Sequence, residues 1–138
     1  MFLNDMFLND FLNTALAQPW TARYAKFMAL VLGYGATVHI GNILGLTGTP
    51  WLETPLLWRS LDLLLLMFDV TVAIALWQGW IWSVGAVFLG IILLQWLPYT
   101  VWRSQFVLKP EDAQTLNGLI GTEALLLAIF AILIGLKK

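Results

Sequence analysis

The sequence predicts an all-α integral membrane protein: four transmembrane helices in an antiparallel bundle, preceded by an interfacial amphipathic helix. Three observations carry this prediction. Of 138 residues, 60% are hydrophobic and only 11% are charged, less than half the charged share of a soluble domain. A soluble chain of this size has too much surface for its core to do without a charged shell, and seven Lys/Arg with eight Asp/Glu cannot supply one. The apolar residues also gather into four runs, each near the roughly 20 residues that cross a hydrocarbon core of about 30 Å. A formal net charge of -1 offers no surface to a polyanion, so nucleic acid is excluded as a partner. The chain has no cysteine, which excludes disulfides, thiolate metal sites and thiol nucleophiles.

Residues 1–19 read as the interfacial segment. It opens on MFLND, repeated at once as residues 6–10. From Phe7 onward the pattern turns helical. Phe7, Leu8, Phe11, Leu12, Ala15 and Leu16 share one half of a helical wheel, Asn9, Asp10, Asn13 and Thr14 the other, and Pro19 ends the run. The segment lacks the Lys/Arg that attract anionic lipid, so lipid and a protein partner are equal candidates for its apolar face. The absence of a positive charge ahead of the apolar stretch argues against a secretory signal.

Residues 20–138 form the four-helix domain, with spans at about 26–46, 61–78, 81–102 and 116–136. Backbone groups in lipid must be satisfied within the segment, so these are helices rather than open strands. Trp20, Trp77, Trp80 and Trp82 fall at one face, Trp51, Trp58 and Trp102 at the other, and Trp96 inside a span. That is the layout of interfacial indole belts, although subunit contacts would use the same positions. An even number of spans puts both termini on one side. That side carries Arg23, Lys26, Lys137 and Lys138, against Arg59, Arg103 and Lys109 opposite, which favours a cytoplasmic location for the termini. The link over residues 47–55 is long enough for a short segment lying on the membrane. A tight turn at Gln78, Gly79 and Trp80 makes the second and third spans antiparallel neighbours. Lys109, Pro110, Glu111 and Asp112 form a helix start. Several small membrane families, the DoxX-like proteins among them, resemble this plan of four spans around a tight central hairpin; a shared plan implies no function.

Ala29, Gly33, Thr37, Gly41 and Gly45 recur every four residues and predict a flat packing groove along the first span. His39 and Asn42, three residues apart, lie nearly opposite that groove, with Gly35 one turn earlier. An imidazole and a carboxamide are poor neighbours for lipid, so this face is expected to meet a cavity, a cofactor or a second protein.

Counting roughly 1.5 Å per residue from the span ends places His39, Asn42, Asp69, Gln95 and Glu123 at similar depth, roughly 6 to 13 Å in from the side opposite the termini. Asp62 shares a stripe with Asp69. Ionisable groups there are costly, by about 2.5 to 3.5 kcal/mol each, and face an interior or a water-filled space. Three readings follow: hydrogen bonds between helices, with Asp69 protonated or paired with His39; a pocket for a small ligand, quinone headgroup or proton path; or His39 as axial ligand to a haem or pigment. No catalytic set is assigned. A single histidine cannot build a multi-histidine metal site, and no phosphate loop is present. Pro98 is expected to free the Leu94 carbonyl and kink the third span just after Gln95. The functional expectation is an accessory subunit of a larger membrane complex, bioenergetic or photosynthetic, with the lipid bilayer and other membrane subunits as partners. The alternative is a small-molecule-binding, transport-related or membrane-enzyme protein using the polar pocket.

Overall fold

The computed structural model describes residues 2–136. Met1, Lys137 and Lys138, the last two of which enter the charge comparison, lie outside the described residues. Among the described residues the chain is helical, with no strand. Helix α1 runs over Phe2–Ala17, α2 over Pro19–Ile43, α3 over Leu56–Gln78, α4 over Trp82–Ile91, α5 over Leu97–Val101 and α6 over Pro110–Gly135. A π-helical turn, Ile92–Trp96, joins α4 to α5 without a break. Three of these helical runs are long and apolar enough to cross a membrane: α3, the continuous Trp82–Val101, and α6. Helix α2 is not among them, because Arg23, Lys26, His39 and Asn42 interrupt its apolar character.

Local chemistry sets each boundary. Pro19 occupies the first turn of α2 behind an extended Gln18, so the chain breaks between α1 and α2 where a prolyl nitrogen loses nothing. Helix α2 stops at Ile43, three residues short of the predicted span, and Gly45 takes φ 76° in the turn beyond it. Helix α3 begins at Leu56, directly after Pro55 and five residues before the predicted span start at 61. At its far end Gly79 adopts φ 73°, and Trp80 N–H returns to the Ala75 carbonyl at 3.0 Å. This is the 6→1 closure of a left-handed C-cap, which a side chain would strain. Helix α6 starts at Pro110, and the Asp112 carboxylate accepts the N–H groups of Leu108 and Lys109 at 2.9 and 3.1 Å.

The expected kink at Pro98 takes a different form. Leu97 N–H donates to the Ile92 carbonyl, five residues back, so the turn before the proline widens instead of breaking. Pro98 has no N–H to give and its ring crowds the preceding carbonyls; one wide turn relieves both. The widening has a second effect. Val87, Ile91, Gln95 and Tyr99 are all buried, and in a straight α-helix residues four apart drift by about 40° per step. The wide turn takes up that drift, so Gln95 and Tyr99 stay on the inner face.

The interior divides into two apolar clusters. One gathers Met28 and Leu32 of α2, Leu76 of α3, Val87 and Ile91 of α4 and Phe130 of α6. Helix α1 completes it: Ala15 is fully buried and Phe11, Leu12 and Leu16 pack against it, while Phe7 and Leu8 stay exposed. The other cluster holds Leu61, Leu65, Tyr99, Phe106 and Leu116. On α3, on Trp82–Val101 and on α6 alike, one buried polar residue lies between the two clusters: Asp69, Gln95 and Glu123. Large apolar side chains cover the outside, among them Leu64, Met67, Val70 and Ile74 on α3, an exterior suited to lipid.

The predicted small-residue groove is not continuous. Ala29 is buried, Gly33 has open space where a β-carbon would stand, Thr37 is exposed, Gly41 faces Thr47, and Gly45 lies past the helix end. Each four-residue step turns an α-helix by about 400°, so the row winds from the core to the outside instead of forming one face. Tight approach occurs elsewhere. A β-carbon on Gly90 would collide with the Phe68 ring. Gly90→Ala is therefore expected to lower stability by about 1 to 3 kcal/mol through overpacking, read as a lower thermal midpoint in detergent. Adding Phe68→Leu should recover at least half of the loss; an unchanged midpoint in the single variant would contradict the contact.

Candidate functional site

Helices α2 and α6 are pinned together at one end by two hydrogen bonds. The Tyr24 hydroxyl donates to the Leu126 carbonyl at 2.7 Å and Thr21 Oγ1 to the Leu133 carbonyl at 3.4 Å. Beyond this pin, a cleft of about 570 Å³ opens between residues 31–42 of α2 and 115–126 of α6. Its floor is formed by α3 and the π turn. Tyr34, Val38, Gly118 and Thr122 stand exposed along its rim.

His39, Asn42, Asp69, Gln95 and Glu123 all line this one cleft. They come from four separate helical runs, and every one except His39 and Asn42 is buried. The strongest polar contact, however, centres on Asp62, 3% exposed. Its Oδ1 accepts His39 Nδ1–H at 2.7 Å and Asn42 Nδ2–H at 3.0 Å, and its Oδ2 accepts the Trp51 indole N–H at 2.9 Å. Three N–H donors from α2 and the α2–α3 link thus converge on one α3 carboxylate. This arrangement fixes the imidazole ring, so that Nε2 faces Asp69 Oδ2 at 3.8 Å, beyond hydrogen-bond range.

Asp69 reaches this place because residue 35 is glycine: a β-carbon there would stand 2.7 Å from Asp69 Oδ2. Glu123 has Gln95 and Trp96 as its polar neighbours. Asp69 Oδ1 and Glu123 Oε1 are buried, and among the described residues neither has a hydrogen-bond partner. The two carboxyl groups therefore differ from Asp62, which is fully served. Among the described residues, no group of three or more His, Asp or Glu side chains is placed to hold a metal ion.

A span beginning at residue 61 places Asp62 at its mouth, and the tryptophan pattern places Trp51 in an interfacial belt. Helix α3 starts at Leu56, which draws Asp62 nearly two turns inside, and the short 3₁₀ turn Trp51–Glu53 brings the indole to it. The seven-residue spacing from Asp62 to Asp69 was the available signal. No protein-family model matches the chain, and neither a curated protein nor a solved structure shows a detectable match to it.

The contrast among the three carboxyl groups is measurable. Asp62→Ala leaves three donors unserved at about 1 to 3 kcal/mol each, so a loss of about 3 kcal/mol or more is expected in a reversible detergent-unfolding titration. Asp69→Asn and Glu123→Gln, which each remove a carboxyl group bearing an unpartnered oxygen, should change stability by less than about 1 kcal/mol. Equal losses from all three would mean that Asp62 has no special place.

Proposed function

We propose that the chain is a four-crossing membrane protein, with α2 as the additional crossing, and that its cleft binds a small molecule at membrane depth. The observation that carries this reading is the convergence of five polar residues from four helical runs on one cleft, with two buried carboxylate oxygens left unpartnered. A purely structural polar layer would satisfy its members with one another. At about 570 Å³ the cleft lies in the range of small-molecule sites.

The topology is argued from side-chain pairings. Lys26 sits over the Trp77 ring at 5.1 Å, Gly35 meets Asp69, and Asn42 meets Asp62. Residue numbers rise on α2 as they fall on α3, the pairing of antiparallel neighbours. With four crossings both termini share a side, and the Lys/Arg distribution favours the cytoplasmic one. Helix α1 then lies along that interface, with Phe7 and Leu8 toward lipid and Ala15 held in the core.

Of the ligand types the sequence raises, a haem or pigment needs a ring nitrogen of His39, and Nε2 faces Asp69. A quinone head needs donors, and His39 Nδ1–H and the Asn42 amide are already given to Asp62. Asp69 and Glu123 each keep an unpartnered acceptor oxygen there. An accessory-subunit role is the second reading. Its support is the exposed row Gly118, Gly121 and Thr122 on α6, where neither glycine has an atom within 4 Å of a β-carbon position, a surface that admits a close partner helix.

Mass spectrometry of protein extracted directly into lipid nanodiscs should find a retained small molecule, and Thr122→Trp, filling the cleft, should abolish its retention. Loss of nothing on filling would overturn the cleft reading, and stoichiometric co-purifying chains would favour the subunit reading. Because the chain has no cysteine, single cysteines report topology cleanly. Thr49→Cys and Gln105→Cys should label from one side of sealed vesicles and Gln78→Cys from the other. Labelling of Thr49→Cys and Gln78→Cys from one side would remove the crossing made by α3.

A further inference from the structure

We infer that the cleft takes a hydrophobic ammonium ion, a protonated primary or secondary amine on an apolar body, with its N–H groups donated to Asp69 and Glu123. This rests on the cleft reading above and goes further by assigning the ligand's charge and its hydrogen-bonding sense.

The lining charge is one-sided. Asp62, Asp69, Asp112 and Glu123 line the cleft with one imidazole, and no Lys or Arg lines it. Arg103 is turned to the Ala113 carbonyl and the Asn117 side chain, and Lys109 Nζ lies beside Gly48 in the α2–α3 link, at the end of the cleft away from Asp69 and Glu123. Two of the four acids already have work. Asp62 accepts three donors, and Asp112 caps the start of α6. Asp69 and Glu123 remain, 2% and 8% exposed, each with one oxygen unpartnered.

A carboxylate oxygen is an acceptor only, so whatever completes these two must donate. An unserved buried acceptor costs about 1 to 3 kcal/mol, more when charged, and an N–H-bearing cation removes that cost while supplying the missing charge. A carboxylate or phosphate ligand would add a like charge, and an acceptor-only head would leave both oxygens bare. A metal ion is poorly served, since the described residues form no ligating group. The surrounding walls fit the rest of the molecule. Val31, Leu119 and Leu126 are aliphatic, and Trp58, Tyr99 and Phe106 present rings, which hold apolar bodies and attract cations. With Tyr34 and Thr122 exposed at the rim, the mouth faces the side of the bundle, where an amine already partitioned into the bilayer would arrive.

The test uses three molecules with the same body: 4-phenylbutylamine, 4-phenylbutanol and 4-phenylbutanoate, titrated calorimetrically into the full chain in nanodiscs with empty nanodiscs subtracted. The amine is expected to bind at least tenfold more tightly than the alcohol, and the carboxylate not at all. Asp69→Asn and Glu123→Gln should each weaken the amine at least tenfold while leaving the alcohol within about twofold. Selectivity in the unaltered chain is decisive even if a variant fails to fold. If amine and alcohol bind equally and both are lost in Thr122→Trp, the cleft reading stands and the charge assignment falls. If the amine does not bind, the assignment also falls, and the retained-molecule inventory decides the cleft by itself.

Discussion

Within a bilayer the apolar exterior of a helix bundle and its apolar interior are nearly the same solvent, so burial alone does little to tell one helix rotation from another. The Asp62 carboxyl group supplies what burial does not. It ties His39 and Asn42 of α2, and Trp51 of the link, to one point on α3. Leaving any of those donors without its acceptor would be costly. Turning α2 by a single residue, about 100°, would move all of its donors away from that point. The register of α2 on α3, the aim of the His39 ring and the position of the cleft wall all follow from this one contact.

Around that node the backbone is shaped by small departures from regularity. Gly35 leaves room for Asp69 against α2, and Gly90 leaves room for the Phe68 ring against α4. The π turn keeps Gln95 and Tyr99 facing inward beyond the point where a regular helix would have rotated them away. π turns often accompany functional sites, and here the turn contributes Gln95 to the cleft floor. Apolar clusters above and below hold the polar layer between them, which isolates its two unserved oxygens from bulk water.

The grouping of the five polar residues is legible in the sequence, although their role is not. Depth counted at a fixed rise per residue grouped His39, Asn42, Asp69, Gln95 and Glu123, and one cleft receives all five. Helix rise is nearly invariant, whatever the details of packing, so residues counted from the span ends fall at matching depths. Two things escape that count. Span ends were placed from hydropathy, which trimmed the first turn and a half of α3 and so left Asp62 at the surface; Pro55 was the better marker of the helix start. The four-residue row of small side chains looked like a face only because its slow drift around the axis was neglected. The wide turn at Ile92–Trp96 lies beyond pattern reading, because a proline can be accommodated by bending as well as by widening.

The joining of α2 to α6 at one end has a mechanical meaning. From the pin at Tyr24 to Asn42 is about 27 Å of helix, so α2 and α6 form a pair of tongs joined at one end. Swinging them apart by about 5° displaces the far ends by about 2 Å over that length while the joined ends barely move. The far ends carry Trp51 and the link over residues 47–55 on one arm and the start of α6 on the other. If the cleft takes a ligand as proposed above, its occupancy would register at the rim farthest from the pin, as a movement of the two connecting segments there.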